Sequence, residues 1–219
     1  MSTLLHIAAS PRGLASQSLH IAETFLETYR ESHPEAAVTT WDIWDGTVPE
    51  FGPAAAGAKM TVFGGGTPEG EQGAAWQAAQ DAFARFDAAD RLLLSVPMWN
   101  AGIPYKLKQL IDVISQPGMI FGFDPVTGYT GLLENKRVAV IYTGAVYGPD
   151  RGPGFGNDFQ QPFFEDWLRW AGVDDIRSIA FRPNLATADP EPGRRAAHAE
   201  ATEVARGFLS VEEPTLLAG

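Results

Sequence analysis

Short apolar runs bounded by turn residues alternate along this chain with segments whose apolar positions fall at helical spacing. TLLHIAA (Thr3–Ala9) is the first such run and predicts a buried strand. Leu19, Ala22, Phe25, Leu26 and Tyr29 follow at a helical period and predict a helix over Ser16–Ser32. AVTTWDI (Ala37–Ile43), rich in β-branched residues, predicts a second strand. From Asp45 to Gly73 the periodicity lapses into Gly, Pro and Ala, which predicts a long excursion, partly helical around Ala54–Phe63.

A helix over Ala74–Ala88 then leads into DRLLLSVPM, an apolar run so continuous that both its faces should be covered, as in a parallel sheet. PYKLKQLIDVIS predicts a helix opened by Pro104, KRVAVIYTGA a fourth strand, Phe159–Ala171 a helix, DIRSIAFRP a fifth strand and Pro190–Leu209 a closing helix. The residues at 118–135 form an aromatic insertion between the third and fourth strands. Alternation of this kind predicts an α/β fold: a doubly wound parallel sheet of five strands in the order 2-1-3-4-5, with helices on both faces. A ligand of such a sheet sits beyond the carboxyl ends of its strands. Neither a repeat nor a linker divides the 219 residues, so one domain over 1–219 is expected.

Composition narrows the chemistry. The chain has no cysteine, which excludes disulfides, thiolate nucleophiles and iron–sulfur clusters and leaves redox work to a cofactor. A formal net charge of −11 argues against nucleic acid and anionic membranes as partners. No apolar run is long enough to span a membrane and no signal peptide is visible, so a cytoplasmic protein is expected. The four histidines have no partner at helical spacing, His6 alternates into the first strand as a core residue, and no metal site is expected.

Candidate chemistry gathers where strands end. After the first strand comes SPRGLASQS, with Ser10, Arg12, Ser16 and Ser18 at a predicted helix start. Helix-terminal N–H groups, hydroxyls and one guanidinium suit a phosphate, although Ser16 as a plain helix cap fits this stretch equally well. No G-x-G-x-x-G follows that strand, and no P-loop lysine motif occurs. After the third strand comes PMWNAGIP, where Pro97, Met98, Trp99 and Asn100 suit a flat heteroaromatic ring, or else a core aromatic beside a turn.

Taken together, SPRxxxSxS, PMWNxxIPxxLK and YTGAVYG, in that order after the first, third and fourth strands, resemble the FMN-dependent NADH-azoreductases, also described as NAD(P)H:quinone oxidoreductases, of flavodoxin-like fold. The resemblance extends through GMIFGFDPVTGYTGLLENKR and FQQPFFEDWLRWAGV to about Arg182. It implies that Ser10, Ser16, Gln17 and Ser18 hold the FMN phosphate. Met98, Trp99, Asn100 and Ala101 would line the flavin ring and its ribityl chain, with Thr143, Gly144, Ala145 and Val146 at the pyrimidine edge. It further implies ping-pong hydride transfer from NADH or NADPH to a quinone or azo compound, and charge stabilisation by backbone N–H groups near Asn100 and Gly144. The remaining implications are a homodimer, Phe121 and Phe123 roofing the partner's flavin or else packing, and Tyr147 as a proton donor. The chain departs from the family at Ala101, where phenylalanine is common, and at Ala145-Val146, where two glycines often stand. A flavodoxin-like electron carrier that docks to proteins and does not oxidise nicotinamide is the alternative.

Overall fold

Five parallel strands form the sheet in a computed structural model that describes residues 2–145, 153–183 and 187–209. They are β1 (Thr3–Ala8), β2 (Ala37–Asp42), β3 (Arg91–Pro97), β6 (Arg137–Thr143) and β7 (Asp175–Phe181), in the order β2-β1-β3-β6-β7. This is the expected 2-1-3-4-5 arrangement. The two further strands, β4 (Phe121–Asp124) and β5 (Gly128–Gly131), make an antiparallel hairpin within the predicted aromatic insertion.

Alternation along each strand sends successive side chains to opposite faces. Leu92, Leu94 and Val96 join Ile7, Val138 and Val140 on the face covered by α3 (Gly70–Asp87), α4 (Tyr105–Ile114) and α5 (Gln161–Trp170). Leu93 joins Leu4, Ala139 and Ile141 on the opposite face, under α1 (Gln17–Ser32) and α6 (Glu191–Arg206). Being covered on both sides explains why β3 and β6 read as continuous apolar runs.

Two boundaries differ from the sequence reading. α3 begins at Gly70, inside the expected excursion, because its first turn is polar and small and carries no apolar period. Pro104 caps α4 from outside with extended ψ of 142°, and its carbonyl accepts from Leu107 and Lys108. The helix within the excursion, α2 (Pro53–Phe63), matches its expectation and packs on α3. Among the described residues no helix is long and apolar enough to cross a membrane.

His6 is a core residue, as its alternation implied. Its Nε2 meets Ser95 Oγ at 3.0 Å on the face beneath α1 and α6. Burial, with the Arg30 charge second, pushes the imidazole down to about 4. The unfolded chain therefore binds a proton that the folded chain refuses, and stability falls as pH drops below the ordinary histidine value of 6.5. We expect this one group to cost about 2 kcal/mol of stability between pH 8 and pH 5. His6→Gln should flatten that part of the pH profile in chemical denaturation; an unchanged slope would refute the assignment.

The hairpin docks against the carboxyl end of α5 through two bare backbones. Gly172, at φ 103°, ends the helix, and Leu133 N–H donates to Ala171 O at 2.9 Å. A Cβ on Gly131 would lie 2.4 Å from Ala171 C and Gly172 N. Gly131→Ala is therefore expected to lose about 2–3 kcal/mol in denaturant unfolding. Gly154→Ala, where a Cβ meets nothing within 4 Å, should stay within about 0.5 kcal/mol of the parent.

Candidate active site

The four strands from β1 to β7 finish at one rim, and the loops above them enclose a cleft of about 210 Å³. Its lining comes from each strand end in turn. β1 supplies Ser10, Arg12, Ser16 and Gln17; β3 supplies Pro97, Met98 and Trp99; β6 supplies Thr143, Gly144 and Ala145. Sequence reasoning named all of these, and the fold brings them together. It missed Phe181 and Pro183, which close the cleft from the end of β7. The rule that ligands lie beyond strand carboxyl ends would have found them.

The first loop turns through Gly13, whose φ is 50°, and enters α1 at Ser16. Ser16 Oγ accepts from Leu19 N–H at 3.4 Å and lies 3.1 Å from Ser18 Oγ, so the capping role weighed for it is real. Ser10 Oγ accepts from Arg12 N–H at 3.4 Å. All three serines are buried, and Ser18, fully so, stands behind Ser16 rather than on the cleft wall. The cap takes the N–H of Leu19; the leading N–H groups of a helix's first turn have no intrahelical acceptor, and the helix dipole adds positive potential there. Arg12, exposed, is the one charged side chain among the described residues that line the cleft.

The third loop is a miniature hairpin. Trp99 and Gly102 exchange both backbone hydrogen bonds, at 2.8 and 3.0 Å, across a two-residue turn. Asn100 and Ala101 fill that turn with φ of 47° and 72°. Such turns require positive φ at both central residues; asparagine tolerates this and alanine does so at about 1 kcal/mol of strain. Met98 N–H donates to Thr143 O at 2.7 Å, tying the loop to β6.

Asn100 and Ala101 are not on the wall of the smaller cleft. Asn100 instead faces a neighbouring apolar cleft of about 410 Å³ together with Ile103, Tyr105, Phe159 and Phe163. Trp99 is the partition between the two. Its ring is backed by Trp44 at 5.5 Å, and Trp44 also meets Tyr105 at 5.2 Å and donates Nε1–H to Ala9 O at 3.1 Å. Trp44 was not anticipated. Its signal was position, two residues beyond β2 at the ligand end.

At the fourth loop, a Cβ on Gly144 would meet Met98 Cβ at 3.4 Å, an ordinary van der Waals contact. Its own N–H is given to Phe181 O at 3.2 Å. Val146 and Tyr147 lie outside the described residues. Tyr142, one strand position earlier, is fully buried; burial and then the Glu165 charge push its hydroxyl well above the ordinary phenol range. It stays neutral and protonated.

The hairpin aromatics separate. Phe121 is only 3% exposed, with its ring against Trp170 at 5.0 Å, Tyr129 at 5.3 Å and Phe63 at 6.1 Å. Of the two roles weighed for Phe121, packing accounts for the ring, which Trp170, Tyr129 and Phe63 cover. Phe123, two residues on, is 54% exposed and touches Tyr129 at 5.0 Å.

Comparison with known proteins agrees with this geometry. A family model described as the flavodoxin-like fold matches residues 2–205. An FMN-dependent NADH:quinone oxidoreductase of Ruegeria pomeroyi is 41% identical over 193 residues, covering 88% of this chain and 95% of that protein. One from Burkholderia lata, FMN-dependent NADH:quinone oxidoreductase 9, is 39% identical over 211 residues, covering 95% and 100%. The crystal structure of an azoreductase from Bacillus anthracis superposes with a TM-score of 0.86 at 25% identity, over 95% of this chain and all of its own. In sequence and in strand order alike, the chain belongs to the family of FMN-dependent NADH:quinone oxidoreductases, built on the flavodoxin-like fold.

Proposed function

We propose that this protein is an FMN-dependent oxidoreductase that takes a hydride from NADH and delivers two electrons to a quinone or azo compound. The observation that carries the reading is the meeting, in one cleft, of a buried serine cluster at a helix start with a tryptophan partition and a side-chain-free glycine. The relatives' names supply FMN, NADH and quinone, and the structural neighbour's supplies azo compounds.

The residues present fit a flavin mononucleotide. A phosphate monoester needs several donors in a small space, and Ser10, Ser16, Gln17 and the first-turn amides of α1 provide them, with Ser18 supporting Ser16 from behind and Arg12 as counter-charge. A planar ring needs apolar walls and few polar contacts, which Pro97, Met98 and Trp99 offer. Thr143, Gly144 and Ala145 leave backbone where the ring's polar edge would lie, and Val146 continues that edge in the sequence. Bound there, FMN supplies the hydride chemistry between nicotinamide and acceptor.

The protein's own share is orientation and exclusion of water. Trp99, braced by Trp44, keeps one wall rigid. Asn100, beside Trp99 in the turn, is proposed to steady charge at the ring's edge by way of the neighbouring cleft that it lines, and Tyr147 is proposed as the proton donor. The apolar cleft beyond Trp99 offers an aromatic acceptor a surface to enter along. In this reading the molecule is a cytoplasmic homodimer of one domain each, with Phe123 reaching over the partner's cleft.

Mixing the FMN-loaded protein with NADH in the absence of oxygen should bleach the flavin's yellow absorbance, and a quinone added afterwards should restore it. Flavin that stays yellow under NADH would remove the enzyme reading and leave the electron carrier. Ser16→Asp separates cap from phosphate site. Aspartate caps a helix about as well as serine, so the melting temperature should hold, while its charge would repel a phosphate and lower FMN affinity at least about tenfold. Retained affinity in calorimetry would mean that Ser16 is a cap alone.

A further inference from the structure

The turn that carries Asn100 and Ala101 is held from outside the smaller cleft by the first residues of FQQPFFEDWLRWAGV, a stretch given no role in the sequence. We propose that Gln160, locked by Asp158 and Arg182, is a positioning residue for this turn. The proposal rests on the flavin reading for its functional consequence and on the structure for its mechanics.

Gln160 is fully buried, although its amide is polar. Its Nε2–H donates to Val96 O at 2.9 Å, one residue before Pro97 and two before Met98. Pro97 has no N–H to extend the strand ladder, and the glutamine amide takes hold of the chain where that ladder thins. The preceding residue, Phe159, donates its N–H to Ala101 O at 2.8 Å. Two consecutive residues thus grip the third loop at both ends: Val96 before it and Ala101 at its positive-φ tip.

The grip is itself fixed. Asp158 Oδ1 accepts from Gln160 N–H at 2.8 Å and from Gln161 N–H at 3.2 Å, setting the start of α5. Asp158 Oδ2 accepts from Arg182 Nη1 at 2.7 Å, and Arg182 Nη2 donates to Gln160 Oε1 at 3.3 Å. Both side chains of this ion pair are largely withdrawn from solvent, at 11% and 23% exposure. Arg182 stands between Phe181 and Pro183, the two cleft residues of β7, and is directed away from the cleft toward Asp158. One buried network therefore joins the ends of β3 and β7 and the tip of the turn without reaching the ligand.

A conformation with alanine at positive φ needs such restraint, since a free turn would relax. Burying an amide costs free energy unless each polar atom is paired, and the two partners of the Gln160 side chain, Val96 and Arg182, lie at the ligand end of the sheet. Gln160 therefore acts on the cleft through the turn: it lowers the number of conformations Trp99 and Asn100 sample, and binding then has less ordering to do.

The test compares Gln160→Met, which removes both amide contacts, with Gln160→Glu, which keeps an acceptor for Arg182 and loses the donor to Val96. Hydrogen exchange at the Trp99 and Gly102 amides, read in the protein with and without added FMN, should quicken roughly ten- to hundredfold in both variants. FMN affinity should weaken in the same proportion. Ser115→Ala serves as the control: it removes the acceptor of Trp167 Nε1–H, 3.0 Å away, from the far end of α4, and should lower the melting temperature without altering either readout. Unchanged exchange at Trp99 and Gly102 in both glutamine variants would overturn the proposal, as would an equal response in Ser115→Ala. Faster exchange in a protein that takes up no FMN would uphold the positioning role and sink the flavin reading instead.

Discussion

Because β1, β3, β6 and β7 run parallel and in register, their carboxyl ends finish side by side, and every candidate contact to a ligand hangs on that alignment. Ala8 lies opposite Ser95, and Pro97 opposite Thr143, which in turn lies opposite Phe181. One step beyond those pairs, the chain must leave the sheet four times within one strand-width of the neighbouring exit. Four loops then share a rim, and residues far apart in sequence line one cleft. A slip of a single residue in β3 would turn its side chains to the opposite faces and carry Met98 and Trp99 out of place. Leu92, Leu94 and Val96 buried on one face, with Leu93 on the other, forbid that slip.

The electrostatics of the rim are local. The chain is strongly anionic, yet the cleft lining carries one charged side chain, Arg12, among its described residues. Attraction for a phosphate must therefore come from short-range donors, hydroxyls and helix-start amides, whose reach falls off within a helical turn. The surrounding negative charge weakens non-specific anion binding and leaves the discriminating work to groups that need close fit. A single phosphate matches this arrangement better than a diphosphate, which would want glycine-rich backbone in the first loop; there the chain has serines and one glycine.

Much of this was legible in the chain. Strands buried on both faces have no polar side to write, so β1, β3 and β6 announced themselves as apolar runs, and the loops after them could be read as ligand loops. What stayed hidden depends on contacts that no period records. Trp44, Phe181 and Pro183 reach the site through neighbouring strand ends, not through a motif. Gln160 looked like one polar residue in a helix start, and only its contact with Val96, across 64 positions, gives it meaning. Phe121 and Phe123 share one face of a four-residue strand and were indistinguishable; which one is covered depends on where the hairpin settles against α5, at Gly131.

The departures from the family pattern bear on one wall. The second position of the turn, Ala101 at φ 72°, carries a methyl group where phenylalanine is common in the family. Backbone geometry is indifferent to the exchange, since neither residue is glycine and the carbonyl is held by Phe159 in either case. Volume is not. A methyl group fills less space than a ring in a turn whose other members, Trp99, Asn100 and Gly102, line the apolar cleft of about 410 Å³. In the proposed function the main chain of this turn belongs to the flavin wall, and its side chains to the approach of the acceptor. On that reading a change at residue 101 leaves the main-chain wall alone and alters volume on the acceptor's side, which is where members of one family have most reason to differ.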